Sequence, residues 1–219
     1  MIISCIGHAK FLLELENGMR LVTDPYDATC GYPVTPLRAD VVLVSHGHHD
    51  HSAIETVTGY SQVIDTAGDH TLAPDVHVQA VLSYHDDQQG ALRGQNLLFL
   101  IEAEGLRIAH LGDLGHPLSP EQLQALSPVD VLMLPVGGHF TINATTAKAV
   151  ADSLQARVIL PMHYRTSATA EWPIRPVEDF TALFETPAEE LDLLRVTAGD
   201  LSCQPPLAIL RPQSLKEGL

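Results

Sequence analysis

The segment VVLVSHGHHDH at residues 41–51 is the most informative part of this sequence. Its apolar, β-branched beginning, residues 41–44, predicts a short buried strand. Four candidate metal ligands follow where the chain leaves that strand and neighbouring side chains can converge: His46, His48, Asp50 and His51. Neutral imidazole and carboxylate are the usual ligands of zinc and similar divalent ions. Their density favours a metal site over a solvated loop that happens to contain histidines.

Length and composition limit the class of protein. A chain of 219 residues with 45% hydrophobic content predicts one domain, residues 1–219, with a substantial core. No apolar stretch approaches the ~20 residues that span a bilayer, and the first residues lack the basic region of a secretory signal. Three scattered cysteines predict reduced thiols and a cytoplasmic protein. The net charge of −15 disfavours nucleic acid and anionic membranes as partners.

Three further candidate ligands stand directly after predicted strands over residues 76–84, 106–111 and 157–160: His85, Asp113 and His163. A strand end lets a side chain point into a shared pocket. A carboxylate such as Asp113 has two oxygens and can therefore bridge two cations. At each position the alternative is a surface histidine or a plain turn aspartate, and His70 and His77 compete with His85 for the same role.

The HGHHDH sequence at residues 46–51 resembles the H-x-H-x-D-H signature of the metallo-β-lactamase superfamily. The similarity spans about residues 2–165. Three other stretches look like small bacterial members labelled metal-dependent hydrolases and related to ascorbate-phosphate lactonases: GDLGH at 112–116, PVGG at 135–138 and LPMHY at 160–164. The resemblance implies an α/β (α+β) fold, a four-layer αββα sandwich.

The same resemblance implies two divalent ions and gives each candidate ligand a role. It assigns His46, His48 and His85 to one ion, Asp50, His51 and His163 to the other, and Asp113 to a bridge between them. Zinc is the first expectation for so histidine-rich a site, with manganese or iron as alternatives where carboxylates contribute.

Several other residues have predicted roles around the metals. By resemblance Asp24 would orient a metal-binding histidine, the alternative being a strand-end turn. His8 matches an early Gly-His segment of the family, or is a satisfied core histidine. Asp50 would also orient the attacking water, and His139 and Tyr164 are the candidate proton donors.

The sequence therefore predicts a hydrolase that uses two metals to activate water against an ester, lactone or phosphodiester bond of a small molecule. True β-lactamases lack the bridging aspartate, which disfavours that activity. Two alternatives stay open: a non-catalytic metal-binding or sensing protein on the same fold, and a phosphodiesterase or nuclease acting on nucleic acid. A homo-oligomer is also left open.

Capping patterns predict where helices begin. Ser52-Ala53-Ile54-Glu55 has the form of a capping box and predicts a helix immediately after the ligand segment. Ser119, with proline next and glutamine at the third helical position, predicts a second helix, and Asn143 a third. Residues 177–185 are also expected to be helical.

Overall fold

The structure is a computed structural model that describes residues 1–215. Its strands are, in chain order, β1 (Ile2–Gly7), β2 (Lys10–Glu14), β3 (Arg20–Thr23), β4 (Leu37–Arg38), β5 (Val41–Leu43), β6 (Val57–Thr58), β7 (Gln62–Ile64), β8 (Gly68–Ala73), β9 (Val76–Tyr84), β10 (Gln95–Ala103), β11 (Leu106–His110), β12 (Val131–Pro135), β13 (Val158–Met162), β14 (Glu189–Leu191), β15 (Leu194–Arg195) and β16 (Ala208–Leu210). The α-helices are α1 (Pro120–Leu126), α2 (Ala144–Leu154) and α3 (Glu178–Thr181).

Two six-stranded mixed sheets organise the chain. The first has the order β15-β1-β2-β3-β5-β7, and the second has the order β13-β12-β11-β10-β9-β8. Each sheet combines antiparallel neighbours with a run of parallel strands, β3-β5-β7 in the first and β11-β12-β13 in the second. The prediction of a single domain over residues 1–219 extends to residues 216–219, which lie outside the described part.

The main core lies between the two sheets. It includes Phe11 and Leu43 from the first sheet and Phe99, Ile108 and Leu160 from the second, all at most 1% exposed. Burial of a large apolar side chain of this kind stabilises a fold by roughly 1.5–3 kcal/mol. A second apolar cluster joins the outer face of the second sheet to the helices. The predicted α/β sandwich is confirmed.

The outer face of the first sheet has a different cover. Val22, Val42 and Val44 pack there against Val57 and the partly buried Ile54. Ile54 belongs to a single 3-10 turn, Ile54–Thr56, so the predicted helix after Ser52 is wrong. The Ser52 hydroxyl donates to the carbonyl of His48 instead of capping a helix, and the chain enters β6 directly after the turn.

Two of the three remaining helix predictions are confirmed. Ser119 and Gln122 form the predicted capping box of α1, and the side chain of Asn143 caps α2. Helix α3 is much shorter than the predicted 177–185.

Within residues 1–215, no helix combines the length and apolarity needed to cross a membrane. Cys5, Cys30 and Cys203 are free thiols.

Candidate metal centre

Seven imidazole and carboxylate side chains converge where β1, β5, β9 and β13 end, in two groups. We call the first the three-histidine group: His46, His48 and His85. We call the second the mixed group: His8, Asp50, His51 and His163. Within each group, one potential ligand atom per residue lies within 4.8 Å of all the others, which is close enough for all of them to share one ion.

Asp113 lies between the two groups. Its Oδ2 is 3.1 Å from Nε2 of His85, in the three-histidine group, and 3.1 Å from Nε2 of His163, in the mixed group. Its Oδ1 is 3.3 Å from Nε2 of His51. Asp113 is only 1% exposed. One buried carboxylate therefore faces ligands of both groups, which is the position that a bridging role requires.

The turn after β11 places Asp113 there. The Asn96 side chain accepts a hydrogen bond from the Asp113 backbone N–H, with an N···O distance of 2.9 Å. Gly112 has φ +51°, and a Cβ at this position would collide with the side chains of Asn96 and Ser45. Glycine is therefore needed at position 112 for the close approach of the two sheets.

Asp24 holds the ligand segment in place. Its carboxylate accepts hydrogen bonds from the backbone N–H and the hydroxyl of Ser45, both at 2.7 Å, and lies 2.8 Å from Nδ1 of His51. This contact leaves Nε2 of His51 free to face Asp50 and Asp113. Orientation of a ligand by a carboxylate on its other ring nitrogen is the usual arrangement around protein metals. Asp24 thus makes the contact that its predicted role needs.

His8 lies closer to the centre than a purely orienting residue would. Its Nε2 is 3.3 Å from Oδ2 of Asp50, and its ring centroid is 4.1 Å from that of His163. His8, Asp24 and His163 all have positive φ, at 55°, 38° and 52°. Such conformations cost non-glycine residues of order 1–3 kcal/mol and cluster at functional sites. Three of the seven non-glycine residues with positive φ among the described residues therefore belong to the candidate centre or hold it in place.

The electrostatics prepare the centre for cations. Burial and the neighbouring His51 lower the pKa of His46 to about 3, and burial and His163 lower that of His8 to about 4, so both are neutral ligands at pH 7. Burial acts in the same direction on His51, but Asp113 and Asp24 outweigh it and raise its pKa well above the usual value. Without a metal, a proton on His51 would balance part of the buried negative charge.

The donor set fits a metal on a further observation. His51 Nε2, His8 Nε2 and Asp113 Oδ1 are buried and have no hydrogen-bond partner among residues 1–215. A buried polar atom without a partner costs about 1–3 kcal/mol. All three atoms face the centre of the cluster, where a divalent ion would satisfy them together. The donor set therefore fits a metal ion better than a hydrogen-bonded polar core.

A cavity of about 450 Å³ opens onto this centre. His85, Asp113 and His163 lie in its wall. His48, His49 and Asp50 of the ligand segment also line it. Five further lining residues lie in loops and were not identified from the sequence: Arg93, Phe140, Glu171, Trp172 and Pro173. They come from loops without a motif, and only the strand-terminal position of the neighbouring histidines indicated that a pocket would lie there.

The two predicted proton donors do not line this cavity. Tyr164 packs against the apolar cluster on the helix side of the second sheet, away from its neighbour His163. His139 has φ 60° and is exposed. Its ring packs against Phe140 with a centroid distance of 4.5 Å, and its carbonyl accepts a hydrogen bond from Arg93. The position of neither side chain supports the donor role, which stays a prediction.

The competing histidines lie elsewhere. His70 contacts the carbonyl of Thr66, and His77 contacts Thr71 across the β8–β9 pair. His85, by contrast, shares the three-histidine group with His46.

Comparison with known proteins agrees with this geometry. The family model of the β-lactamase superfamily domain matches residues 2–163. A UPF0173 metal-dependent hydrolase of Thermococcus onnurineus is 31% identical in an alignment 221 positions long, which covers 86% of this chain and 94% of the relative. Another from Archaeoglobus fulgidus is 26% identical and covers 91% of this chain and 97% of the relative.

Two solved structures are also similar to this chain. A candidate Zn-dependent hydrolase of the metallo-β-lactamase superfamily from Thermotoga maritima is 36% identical, with a TM-score of 0.76 and coverage of 95% of this chain and 97% of that one. The metallo hydrolase Igni18 from Ignicoccus hospitalis is 21% identical with a TM-score of 0.64, covers 83% of this chain and 89% of that one, and shows the fold alone.

Proposed function

This chain belongs to the metallo-β-lactamase superfamily and is a metal-dependent hydrolase; we propose that it uses two divalent ions against an ester, lactone or phosphodiester bond of a small molecule. The observation that carries the two-metal proposal is the position of Asp113. Its carboxylate faces His85 of the three-histidine group and His51 and His163 of the mixed group. A site for one ion would not need this shared carboxylate.

The three-histidine group would hold one ion, the mixed group the other, and Asp113 both. Ions bound there would lower the pKa of water towards ~7 and polarise a carbonyl or phosphoryl oxygen. Zinc is the metal that we propose, because most of the ligands are imidazoles. Asp50 lies beside His8 and His51 in the mixed group and would also orient the attacking water.

The protein's own residues supply the binding geometry. Phe140 and Trp172 give the cavity an apolar wall, which excludes water from one side of the bound substrate. A volume of about 450 Å³ suits a small molecule. The net charge of −15 disfavours a polyanion such as nucleic acid. These two features favour a small substrate over the nuclease alternative.

The test is a hydrolase screen on metal-reconstituted protein with lactones, phosphodiesters and thioesters. We expect turnover of at least one class, loss of turnover on chelation, and recovery when zinc or manganese is restored. The control is Asp113→Asn, which should bind fewer ions and hydrolyse the same substrate poorly. Turnover that survives complete metal removal would contradict the proposal.

A further inference from the structure

Arg93 has an unusual position in an acidic protein. The chain has 12 lysine and arginine residues against 27 aspartate and glutamate residues. Two cavities, of about 450 and 700 Å³, border the metal centre, and His48 lines both. Arg93 is the only lysine or arginine among the described residues that line either of them, and it lines both. A single positively charged side chain beside the metal centre of an acidic protein suggests a specific role for it.

The guanidinium of Arg93 has unused hydrogen-bonding capacity. One nitrogen, Nη2, donates to the carbonyl of His139 at 3.3 Å, and Cζ lies 5.8 Å from the ring centroid of Phe140. No carboxylate within residues 1–215 forms an ion pair with it. A guanidinium has five N–H donors in a fixed planar fork that matches carboxylate and phosphate. Most of that fork is therefore available to a ligand.

The backbone below Arg93 is firmly held. The carboxylate of Asp86, directly after His85, accepts hydrogen bonds at 2.8–2.9 Å from four backbone N–H groups: those of Gln88, Gly90, Leu92 and Arg93. These bonds fold residues 86–94 into a compact loop that begins at a candidate metal ligand. A group mounted in this way is positioned relative to the metals with little cost in conformational entropy.

An aromatic strip connects Arg93 to the metal centre. The guanidinium lies over Phe140, the Phe140 ring lies 6.3 Å from Trp172, and Trp172 lies 6.5 Å from His163 by ring centroids. A molecule lying along this strip would have one end at the guanidinium and the other at the metal ligands. Its middle would contact two aromatic faces.

From this layout we infer that Arg93 binds an anionic group, a carboxylate or a phosphate, at the end of the substrate opposite the bond that is cleaved. The inference rests on the proposed function and adds to it a substrate class: a small molecule with an anionic end, an apolar or ring-like middle and a hydrolysable bond. Arg93 would act in specificity, since it touches the substrate at a distance from the reacting atoms.

The experiment measures binding, because Trp172 is the chain's only tryptophan and lines the cavity. Its fluorescence in metal-loaded protein would be titrated with adipamate, adipate and 5-phosphonopentanoate, whose four-carbon middle can lie along the aromatic strip. Each probe has one carboxylate that can occupy the metal centre. They differ at the other end, which is a neutral amide, a carboxylate or a phosphonate. The ratio of affinities thus isolates the second anionic group.

We expect wild-type protein to bind the better of the two doubly anionic probes about ten- to a hundredfold more tightly than adipamate, as for hydrogen bonds to charged groups. Which of the two loses more affinity in Arg93→Gln distinguishes a carboxylate from a phosphate ligand. Arg93→Gln should bring the ratio close to one. Arg93→Lys, which keeps the charge and loses the planar fork, should give an intermediate ratio and serves if the Gln variant does not fold.

The matched control is Arg157→Gln, an exposed arginine at the start of β13, whose ratio should equal that of wild type. A wild-type ratio near one, or an unchanged ratio in Arg93→Gln, would overturn the inference. The measurement needs no turnover, so its failure can be distinguished from that of the proposed function: a screen without hydrolysis counts against the enzyme mechanism, while the binding ratio alone decides the role of Arg93.

Discussion

The three-histidine group and the mixed group differ in burial and charge. The three-histidine group contains nitrogen ligands only, and one of them, His48, is exposed. In the mixed group each of the four residues is at most 8% exposed, and Asp50 brings a negative charge. Ligand charge and site rigidity tune metal affinity. We therefore expect the mixed group to hold its ion more tightly and the three-histidine group to lose its ion first.

Replacement of Asp113 should have the largest effect, because its carboxylate faces both groups. Asp113→Asn keeps the shape of the side chain and removes its charge. We expect a folded protein that retains mainly one ion, in the mixed group, and hydrolyses its substrate about 10²–10³-fold more slowly, as when one charge-assisted contact to a reacting centre is lost. Elemental analysis and steady-state kinetics would measure this. Full activity with two ions bound would reduce Asp113 to a turn residue.

Removal of a ligand from one group should act on that group alone. His85→Ala takes one of three ligands from the three-histidine group, so we expect purified protein with about one ion per chain instead of two. Metal analysis after dialysis would show it. His77→Ala is the matched control, since His77 contacts Thr71 far from the ligands, and it should retain both ions. Equal metal contents in the two variants would mean that His85 has been misassigned.

Asp24 should affect the mixed group more than the three-histidine group. It contacts His51 directly, whereas it reaches His46 only through Ser45. We expect Asp24→Asn to weaken metal binding in the mixed group about 10–100-fold, the usual effect of removing a residue that orients a ligand. Competition with a chromophoric chelator would give both affinities. Equal weakening of both groups would point to general disruption of the fold.

The smallest expected effect is a difference between the two groups in how their metal affinity depends on pH. Asp113 and Asp24 raise the pKa of His51, so the metal-free mixed group carries a proton at neutral pH that an ion must displace. Its metal affinity should therefore increase about tenfold per pH unit below that raised pKa. In the three-histidine group, burial lowers the pKa of both His46 and His48, so no proton has to leave them. Chelator competition across neutral pH should show a steeper slope for the mixed group than for the three-histidine group, and two equal slopes would contradict this account.

The ligand segment could be predicted because its information is local. Four candidate ligands follow one buried strand within a few residues, and β9 has the predicted bounds, since its alternating burial is visible as alternating hydrophobicity. The prediction of a helix after Ser52 was wrong because the Ser52 hydroxyl donates to the carbonyl of His48. The capping pattern does not reveal this competing hydrogen bond.

The cavity lining could not be predicted because it depends on tertiary packing. Arg93 and Trp172 lie in loops without a motif, and their place beside the candidate metal centre depends on how residues 86–94 and 171–173 pack. His139 and Tyr164 do not line the cavity, and their role as proton donors stays a prediction. A position next to a motif residue does not fix where a side chain points, as the packing of Tyr164 against the helix-side cluster shows.

The most direct test of the two-metal centre is a crystal structure of the zinc-loaded protein with anomalous diffraction data. The account predicts two anomalous peaks, one enclosed by His46, His48 and His85 and the other by the mixed group, with an Asp113 oxygen about 2.0–2.2 Å from each ion. A single peak in zinc-saturated crystals, or two peaks with Asp113 bound to only one of them, would contradict it.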